Sequence, residues 1–439
     1  MNIKKIIPKK LFAKLQPAYH YSLAILGAIL YRFPSEKMIV IGVTGTKGKT
    51  SAINFIWSAL TAGGFKTGII STANIRIGKK EFLNKFHMTM PGRFVIQRFM
   101  REMVNAGCKY CIVETTSEGI KQYRHIGINY DIAVFTNLSP EHLTSHGGSF
   151  ENYKNKKGEL FAKLSKLKKK KINGEVIKKI SIANVDNEHS EYFLNFPADK
   201  KITFGINTKS DLVATDIKED SSKVSFKVLD SNFELSISGK FNIYNALPAI
   251  AIARLAKIED EIISKGLKEL TIIPGRMERI NEGQNFTMIV DYAHEKESMT
   301  NVLSTAQIIK PEGGKVIVLL GAEGGGRDKT KRPLMGEISA KLADYVVISN
   351  VDPYDDDPKE ILEDIAIASE KFGKKRNENL FVIEDRREGI KKTIELAKEN
   401  DVIIITGKGA EQSMIISGNK IPWDDRNVVR EELKKYLNK

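Results

Sequence analysis

The sequence predicts an α/β protein, with a P-loop central domain on a mixed, mainly parallel sheet and a Rossmann-like C-terminal domain. Three observations predict it. Apolar runs ending in polar residues recur at spacings that leave room for helices, the pattern of a largely parallel sheet. The run Met38-Ile-Val-Ile-Gly-Val43 feeds directly into Gly45-Thr46-Lys47-Gly48-Lys49-Thr50, which reads as a strand, a Gly-rich turn and a helix. Finally, 439 residues exceed one compact core and call for two or three domains at ~100–200 residues each.

In chain order, residues 1–37 form a short N-terminal helical segment. The apolar run 21–31 follows a basic start, but eleven residues are about half of the ~20 that cross a bilayer. No small-x-small cleavage site follows it, because Arg32-Phe-Pro-Ser-Glu-Lys37 leads straight into the next strand. A packed helix is the reading, with a peripheral membrane contact through the N-terminus as the second one. Residues 38–272 form the central domain, with strands at 38–43, 110–113 and 131–135 and a helix at 49–62. Strict alternation at Val224, Phe226, Val228 and Phe233, Leu235, Ile237 about Asp230-Ser231-Asn232 predicts a β-hairpin, and a helix follows at 244–256. Ile273-Pro-Gly-Arg276 reads as the linker into the C-terminal domain, 273–439, whose strands at 288–290, 316–320, 345–349, 380–383 and 402–406 alternate with helical segments.

The turn at 45–50 carries the clearest chemistry. Gly48 lets backbone N–H groups turn inward on phosphate oxygens, Lys49 supplies a point charge to the β/γ-phosphates, and the Thr50 hydroxyl can ligate Mg²⁺. Gly45, Thr46 and Lys47 complete the cradle, and the helix behind it points its N-terminal dipole at the same anion. ATP is the expected nucleotide. Val43 stands where the usual G-x-x-x-x-G-K-[ST] has its first glycine, with Gly42 one residue earlier. Glu114 ends an apolar strand where a P-loop protein places a second metal-directed carboxylate, so Thr50 and Glu114 can share one Mg²⁺.

The formal charge of +15 is concentrated in two runs, Lys4, Lys5, Lys9, Lys10 and Lys14, then Lys163, Lys166, Lys168 to Lys171, Lys178 and Lys179. Neither is interleaved with stacking aromatics, so both read as solvated faces and no nucleic-acid partner is expected. Acidic substrates such as ATP and a nucleotide sugar suit a basic protein. Cys108 and Cys111 form a C-x-x-C that runs into a strand instead of opening a helix, which marks core residues in a reducing cytoplasm.

Further segments join the phosphate loop: Glu114-Thr-Thr-Ser117, Thr136-Asn-Leu-Ser-Pro-Glu-His142, Gly239-Lys-Phe-Asn-Ile-Tyr-Asn245, Pro274-Gly-Arg276, Asp291-Tyr-Ala-His294, Arg327-Asp-Lys-Thr-Lys-Arg-Pro333, Gly407-Lys-Gly-Ala-Glu411 and Ile421-Pro-Trp-Asp-Asp-Arg426. In this order they resemble the Mur ligases, ATP-dependent enzymes that add amino acids to the peptidoglycan precursor, and most closely the MurE-type tripeptide synthetases. The resemblance covers about residues 38–439. Only about 37 residues precede the ATP-binding strand, where this family usually carries a uridine-binding domain. Ala410 replaces a more usual His, and Glu118 stands where such enzymes tend to have His.

The resemblance implies a role for each motif. Lys157, in the frame Tyr153-x-x-x-Lys157-x-x-Leu160-Phe161, looks like the lysine that takes up CO₂ as a carbamate and holds a second Mg²⁺ with His142. Lys49, Glu114, His142 and Lys157 are then the catalytic set, and Thr50, Glu114, His142 and Lys157 the metal ligands. Asn242 and Asn245 look like adenine contacts, and Arg276, Asp291, Tyr292 and His294 like residues that reach ATP from the C-terminal domain. Thr89, Thr116, Gln122 and Arg124 match positions that hold the muramyl-peptide. Arg327, Asp352, Tyr354, Gly407 and Glu411 fall where the incoming amino acid binds. Family members that use meso-diaminopimelate carry Asp-Asn-Pro-Arg where this chain has Val351-Asp352-Pro353-Tyr354, which points to L-lysine or a similar diamino acid. The implied reaction is amide formation through an acyl phosphate, in a cytoplasmic monomer whose partners are a muramyl-peptide and an amino acid. Within the fold, folylpolyglutamate, cyanophycin or lipid-linked muropeptide ligases remain alternatives, although Gly407-Lys-Gly409 and Asp424-Asp-Arg426 favour the tripeptide branch. A nucleic-acid-binding P-loop ATPase explains the charge but not Lys157, Asn242 or the second sheet.

Overall fold

The computed structural model describes residues 9–86, 88–141, 143–220 and 223–438. The chain divides into two compact units, one of Met1–Thr215, Lys227–Ser231 and Tyr244–Leu267, the other of Asp216–Phe226, Asn232–Ile243 and Lys268–Lys439.

The first unit carries β1 (Ile39–Thr44), β2 (Thr67–Ile70), β3 (Asn74–Ile77), β4 (Lys80–Leu83), β5 (Tyr110–Glu114) and β6 (Ile132–Phe135). A short pair, β7 (Lys171–Ile172) and β8 (Glu175–Val176), precedes β9 (Ile180–Asn184) and β10 (Lys200–Gly205). Across the sheet the order is β10-β9-β6-β1-β5-β2-β3-β4. Pairing is parallel from β10 to β2 and antiparallel at β3 and β4. β1 is central and covered on both faces, which is why it reads as an unbroken apolar run. Gly42 in β1 has a packing role: a Cβ there would lie 2.8 Å from both Leu160 Cδ1 and Tyr130 Cδ1. Its absence lets the helix Phe150–Lys166 lie close on the sheet, with Tyr153, Lys157, Leu160, Phe161 and Leu164 turned inward at helical spacing. Cys108 and Cys111 are free thiols buried in this core.

The N-terminal helix, Lys9–Leu30, is twice as long as the apolar run and includes Pro17. It stops where Arg32 and Phe33 adopt φ of 55° and 47°. The second lysine run departs from the solvated face expected of it. Lys170 and Lys179 are buried and both bind the fully buried carboxylate of Asp131, Lys179 at 3.0 Å. Asp131 also accepts from Val40 N at 2.9 Å, and a carboxylate so placed needs cations to offset its lost hydration.

β11 (Leu212–Glu219) starts alongside β10, with Phe204 opposite Leu212. β12 (Val224–Val228) and β13 (Ser231–Leu235) form the expected hairpin, their Phe226 and Phe233 rings stacked 5.8 Å apart. Its turn is Leu229-Asp230, slightly earlier than the expected one, and Leu229 takes φ 56°.

The second unit holds β14 (Glu278–Ile280), β15 (Thr287–Val290), β16 (Val316–Leu320), β17 (Tyr345–Ile348), β18 (Leu380–Val382) and β19 (Val402–Ile405), in the order β14-β15-β19-β16-β17-β18. Only β14 is antiparallel among the described strands of this sheet. β20 (Ser413–Ile416) and β21 (Asn419–Pro422) make a separate hairpin. Among the described residues no helix is long and apolar enough to cross a membrane.

Candidate active site

β1 lies between β5 and β6, so the carboxyl ends of three parallel strands bring the loops after Thr44, Glu114 and Phe135 side by side. The phosphate loop is stitched to the last of these. Thr46 N donates to Asn137 O at 2.9 Å, Lys47 N to Asn137 Oδ1 at 2.8 Å, and Thr136 Oγ1 to Lys47 O at 2.7 Å. Close approach dictates both loop glycines: a Cβ would sit 2.0 Å from Thr136 Oγ1 at Gly45 and 2.2 Å from Asn245 Oδ1 at Gly48, where φ is 78°. Asn245 therefore lies against the loop. Asn242 donates to Ser238 O at 2.8 Å.

Two ammonium groups converge on one carbonyl. Lys49 Nζ donates to Gly45 O at 3.0 Å and to Thr46 O at 2.8 Å, and Lys157 Nζ donates to the same Gly45 O at 2.7 Å. Lys157 is buried, with its ammonium 4.4 Å from the centre of the Tyr153 ring. Burial, then the nearby charge of Lys49, pushes its pKa well below that of an ordinary lysine, against the pull of Glu141 and Glu114. Its neighbours differ: Lys154 pairs with Glu151 and Lys156 with Glu159 on the outer side of the helix. Thr50 Oγ1 donates to Glu114 Oε2 at 3.0 Å, and Thr72 N donates to the same oxygen at 2.8 Å.

His142 lies outside the described residues. Glu141 beside it pairs with Lys47 at 2.9 Å. His146 lies 3.1 Å from Ser117 Oγ, and burial, with Lys121 and Lys157 nearby, lowers its pKa to about 4. Of the residues matched to the muramyl-peptide, Thr89 accepts from Thr72 Oγ1 at 2.9 Å and Thr116 caps the helix Ser117–Lys121. Gln122 Oε1 accepts from Arg124 at 2.6 Å, while Arg93 donates to the Gln122 carbonyl.

In the second unit, loops after β15, β16, β17 and β19 leave the same end of the sheet, where ligands of open α/β sheets bind. Asp291 accepts from Met277 N at 2.7 Å and Ala293 N at 2.8 Å, so it braces the chain entering this unit. The Arg276 guanidinium lies 4.3 Å over the Tyr292 ring, and His294 Nδ1 is 2.6 Å from Tyr292 O. Tyr292 OH donates to Glu411 Oε1 at 3.0 Å, and Lys408 donates to Glu411 Oε2 at 2.5 Å and Asp352 Oδ2 at 2.8 Å. Asp352 is fully engaged, since Ile415 N takes its other oxygen at 2.8 Å. The Tyr354 phenol and the Arg327 guanidinium lie beside each other, close enough to interact electrostatically. Gly407, at φ 108°, has no room for a Cβ, which would fall 2.9 Å from Val351. Burial disfavours the Glu323 carboxylate, yet Lys331, His294, Arg327 and Lys408 hold its pKa down to about 2.

Several of these participants carry no local signal. Thr72 reaches Glu114 through its backbone N–H, which any residue could supply. Glu323 and Lys331, 3.5 Å apart, become a pair only when the loop between β16 and the helix Lys331–Leu342 turns back on that helix's first residue. Asn137, Tyr153 and Lys408 lie inside motifs that single out their neighbours.

A family model described as the Mur ligase middle domain matches residues 43–253, and one described as the Mur ligase glutamate ligase domain matches 275–409. The chain belongs to the Mur ligases. This Mur ligase is 36% identical over 418 residues to the UDP-N-acetylmuramoyl-L-alanyl-D-glutamate–2,6-diaminopimelate ligase of Geobacillus kaustophilus, covering 94% of this chain and 82% of the relative. It is 33% identical over 426 residues to the UDP-N-acetylmuramyl-tripeptide synthetase of Roseiflexus, covering 95% and 82%. A solved structure of a UDP-N-acetylmuramoyl-L-alanyl-D-glutamate–2,6-diaminopimelate ligase aligns with a TM-score of 0.60 and 27% identity, over 91% of this chain and 79% of that one. Like its family, this Mur ligase is an ATP- and Mg²⁺-dependent acid–amino-acid ligase of peptidoglycan synthesis.

Proposed function

We propose that this Mur ligase adds the third residue to a UDP-N-acetylmuramoyl-dipeptide acceptor. The observation that carries the reading is the convergence of Lys49 and Lys157 on the Gly45 carbonyl, next to the Thr50–Glu114 pair. In the reaction, an acceptor carboxylate oxygen attacks the γ-phosphorus of ATP, and ADP leaves. Lys49 moves from the loop carbonyls to phosphate oxygens, which form the stronger charge-assisted bonds. The amine of the amino acid attacks the carbonyl carbon of the resulting acyl phosphate, losing a proton as the tetrahedral centre expels phosphate. Asn242, Asn245, Arg276, Asp291, Tyr292 and His294 are assigned to ATP. Thr89, Thr116, Gln122 and Arg124 are assigned to the acceptor, and Arg327, Tyr354, Gly407 and Glu411 to the amino acid, with Asp352 beneath them.

Thr50 and Glu114 offer hard oxygen donors 3.0 Å apart, which suits one Mg²⁺ completed by phosphate oxygens and water. That ion offsets charge on the transferring phosphoryl group. Among the described residues no three His, Cys, Asp or Glu side chains form a metal cage, so a second Mg²⁺ needs a further oxygen ligand. Lys157 fits that need as a carbamate, because only a neutral amine attacks CO₂ and burial favours the neutral amine; His142 completes the pair. We assign 1–37 as an N-terminal helical segment, 38–272 as the ATP-binding domain and 273–439 as the amino-acid domain, in a cytoplasmic monomer.

The test is phosphate release with UDP-muramoyl-dipeptide, its lipid-linked form and folate, each against single amino acids. Turnover on folate with none on either muramoyl acceptor would overturn the proposal.

A further inference from the structure

We propose that the helix Lys9–Leu30 docks this enzyme on an anionic lipid surface. The inference does not depend on which amino acid or acceptor the enzyme uses.

One face of the helix is already spent on the fold. Ala24 and Ala28 are buried, and Gly27 lies over Phe94 and the Arg93 carbonyl of the helix Arg93–Asn105. A Cβ on Gly127 would come 2.7 Å from Ala28 Cβ, so the contact is close. The junction is pinned at its end by Arg101, which donates to Tyr31 O at 2.9 Å and Arg32 O at 3.1 Å. Tyr21 meets Tyr123 edge-on, with ring centres 6.3 Å apart.

The opposite face is apolar and open. At 100° per residue, Leu15, Tyr19, Leu26, Ile29 and Leu30 fall within an arc of about 100°. Leu26, Ile29 and Leu30 are 53%, 54% and 63% exposed, and Phe33 beyond the helix is 41% exposed. Five large apolar side chains on one stripe mark a surface that something covers. Charge selects what covers it. From residue 1 to 35 the sequence holds Lys4, Lys5, Lys9, Lys10, Lys14 and Arg32 and no Asp or Glu. The adjoining helix adds Arg93, Arg98 and Arg101 against the single acid Glu102. A second copy of the chain would set two such basic segments together, whereas an anionic headgroup layer neutralises them. The helix is not long and apolar enough to cross a bilayer and has the character of one lying in the interface, with an apolar face and a sequence rich in lysine at its start. Gln122 and Arg124, assigned to the acceptor, flank Tyr123 in the sequence, so a docked helix brings that segment near the lipid surface.

The experiment is flotation of the full chain with phosphatidylcholine vesicles and with vesicles in which a third of the lipid is phosphatidylglycerol. The expected result is flotation with the anionic vesicles only, weakened by salt. Lys9→Gln/Lys10→Gln/Lys14→Gln should lower the partition coefficient roughly a hundredfold, at about fivefold per lysine. Leu26→Glu/Ile29→Glu/Leu30→Glu should abolish flotation while turnover of a water-soluble acceptor stays unchanged, which shows the variant is folded. Equal flotation of the triple-Glu variant, absence of flotation with anionic vesicles, or a dimer of the parent that the triple-Glu change dissociates would each overturn the proposal.

Discussion

Lys157 and Gly45 stand 112 positions apart in the chain, and the amine of one donates to the carbonyl of the other at 2.7 Å. The bond places a buried nitrogen on the loop that cradles phosphate. It also gives that nitrogen two possible states, an ammonium paired with a carbonyl or a neutral amine open to CO₂.

Lys157→Ala should lower ligation by roughly a hundredfold or more, the scale on which removal of a group that offsets transition-state charge is felt. Nucleotide affinity should stay within about threefold, because the cradle, Lys49 and the Thr50–Glu114 pair remain. The carbamate makes a separable claim. Stripping CO₂ from the buffer should silence the parent enzyme, bicarbonate should restore it, and ¹³CO₂ should give a carbamate resonance absent from the alanine variant. Full activity in CO₂-free buffer would leave Lys157 as an amine only.

The Thr50–Glu114 pair predicts a metal phenotype. Glu114→Gln keeps the acceptor oxygen for Thr50 and Thr72 N but removes the negative charge. The Mg²⁺ concentration for half-maximal activity should rise about tenfold, with the melting temperature little changed. An unaltered Mg²⁺ titration would remove Glu114 from the metal site.

His125 is buried, Lys163 donates to its carbonyl, and Lys163 and Lys156 add positive charge nearby. Burial first, then those two lysines, lowers its pKa to about 3. The sign follows from linkage. The unfolded chain takes up a proton near pH 6.5 and the folded one does not until about pH 3, so folding stability is lost as pH falls between those values, by about 1.4 kcal/mol per unit. His146, with its pKa at about 4, adds a second contribution over a narrower window. Thermal melts from pH 7 to 5 should therefore shift downward, and His125→Gln should flatten the slope. An identical slope in the variant would show that other groups carry it.

The phosphate loop was legible because its chemistry is local: glycines, a lysine and a threonine at fixed spacing behind an apolar strand. The parallel strands were legible because burial on both faces leaves unbroken apolar runs. Lys157 was legible only through its frame, since a buried lysine and a surface lysine are spelled alike; the inward turn of Tyr153, Leu160 and Phe161 at helical spacing is what separates it from Lys154 and Lys156. The same ambiguity misread Lys170 and Lys179, whose burial depends on Asp131, which directly precedes β6 and is distant in sequence. Asp352, expected at the substrate, has its two oxygens engaged by Lys408 and by Ile415 N, partners more than fifty residues away in the sequence that no local pattern announces.

The incoming amino acid turns on Tyr354. The relatives are named for 2,6-diaminopimelate, while the family resemblance implies an arginine in diaminopimelate users where this chain has tyrosine. Here a neutral phenol at residue 354 lies beside the Arg327 guanidinium, so this position offers no bidentate cation to a second carboxylate. The acids that follow do not all line the site: Asp356 accepts from Gly325 N at 3.1 Å and Asp357 caps the helix Pro358–Lys371, which sets two carboxylates within three residues of Tyr354. That field favours an ammonium over a carboxylate at the far end of the side chain. The expectation is preferential incorporation of L-lysine, or a similar diamino acid, when it competes with meso-diaminopimelate for UDP-muramoyl-dipeptide. Tyr354→Arg tests the cause. Residue 354 has φ 55°, which costs an arginine about what it costs a tyrosine, so the backbone should hold. The variant sets a second guanidinium beside Arg327, and a distal carboxylate is the ligand that relieves the repulsion; kcat/KM for meso-diaminopimelate should rise about tenfold relative to lysine, the effect of one charge-assisted contact of ~1.4 kcal/mol. A parent enzyme that prefers meso-diaminopimelate would show instead that Arg327, beside Tyr354, reads the second carboxylate.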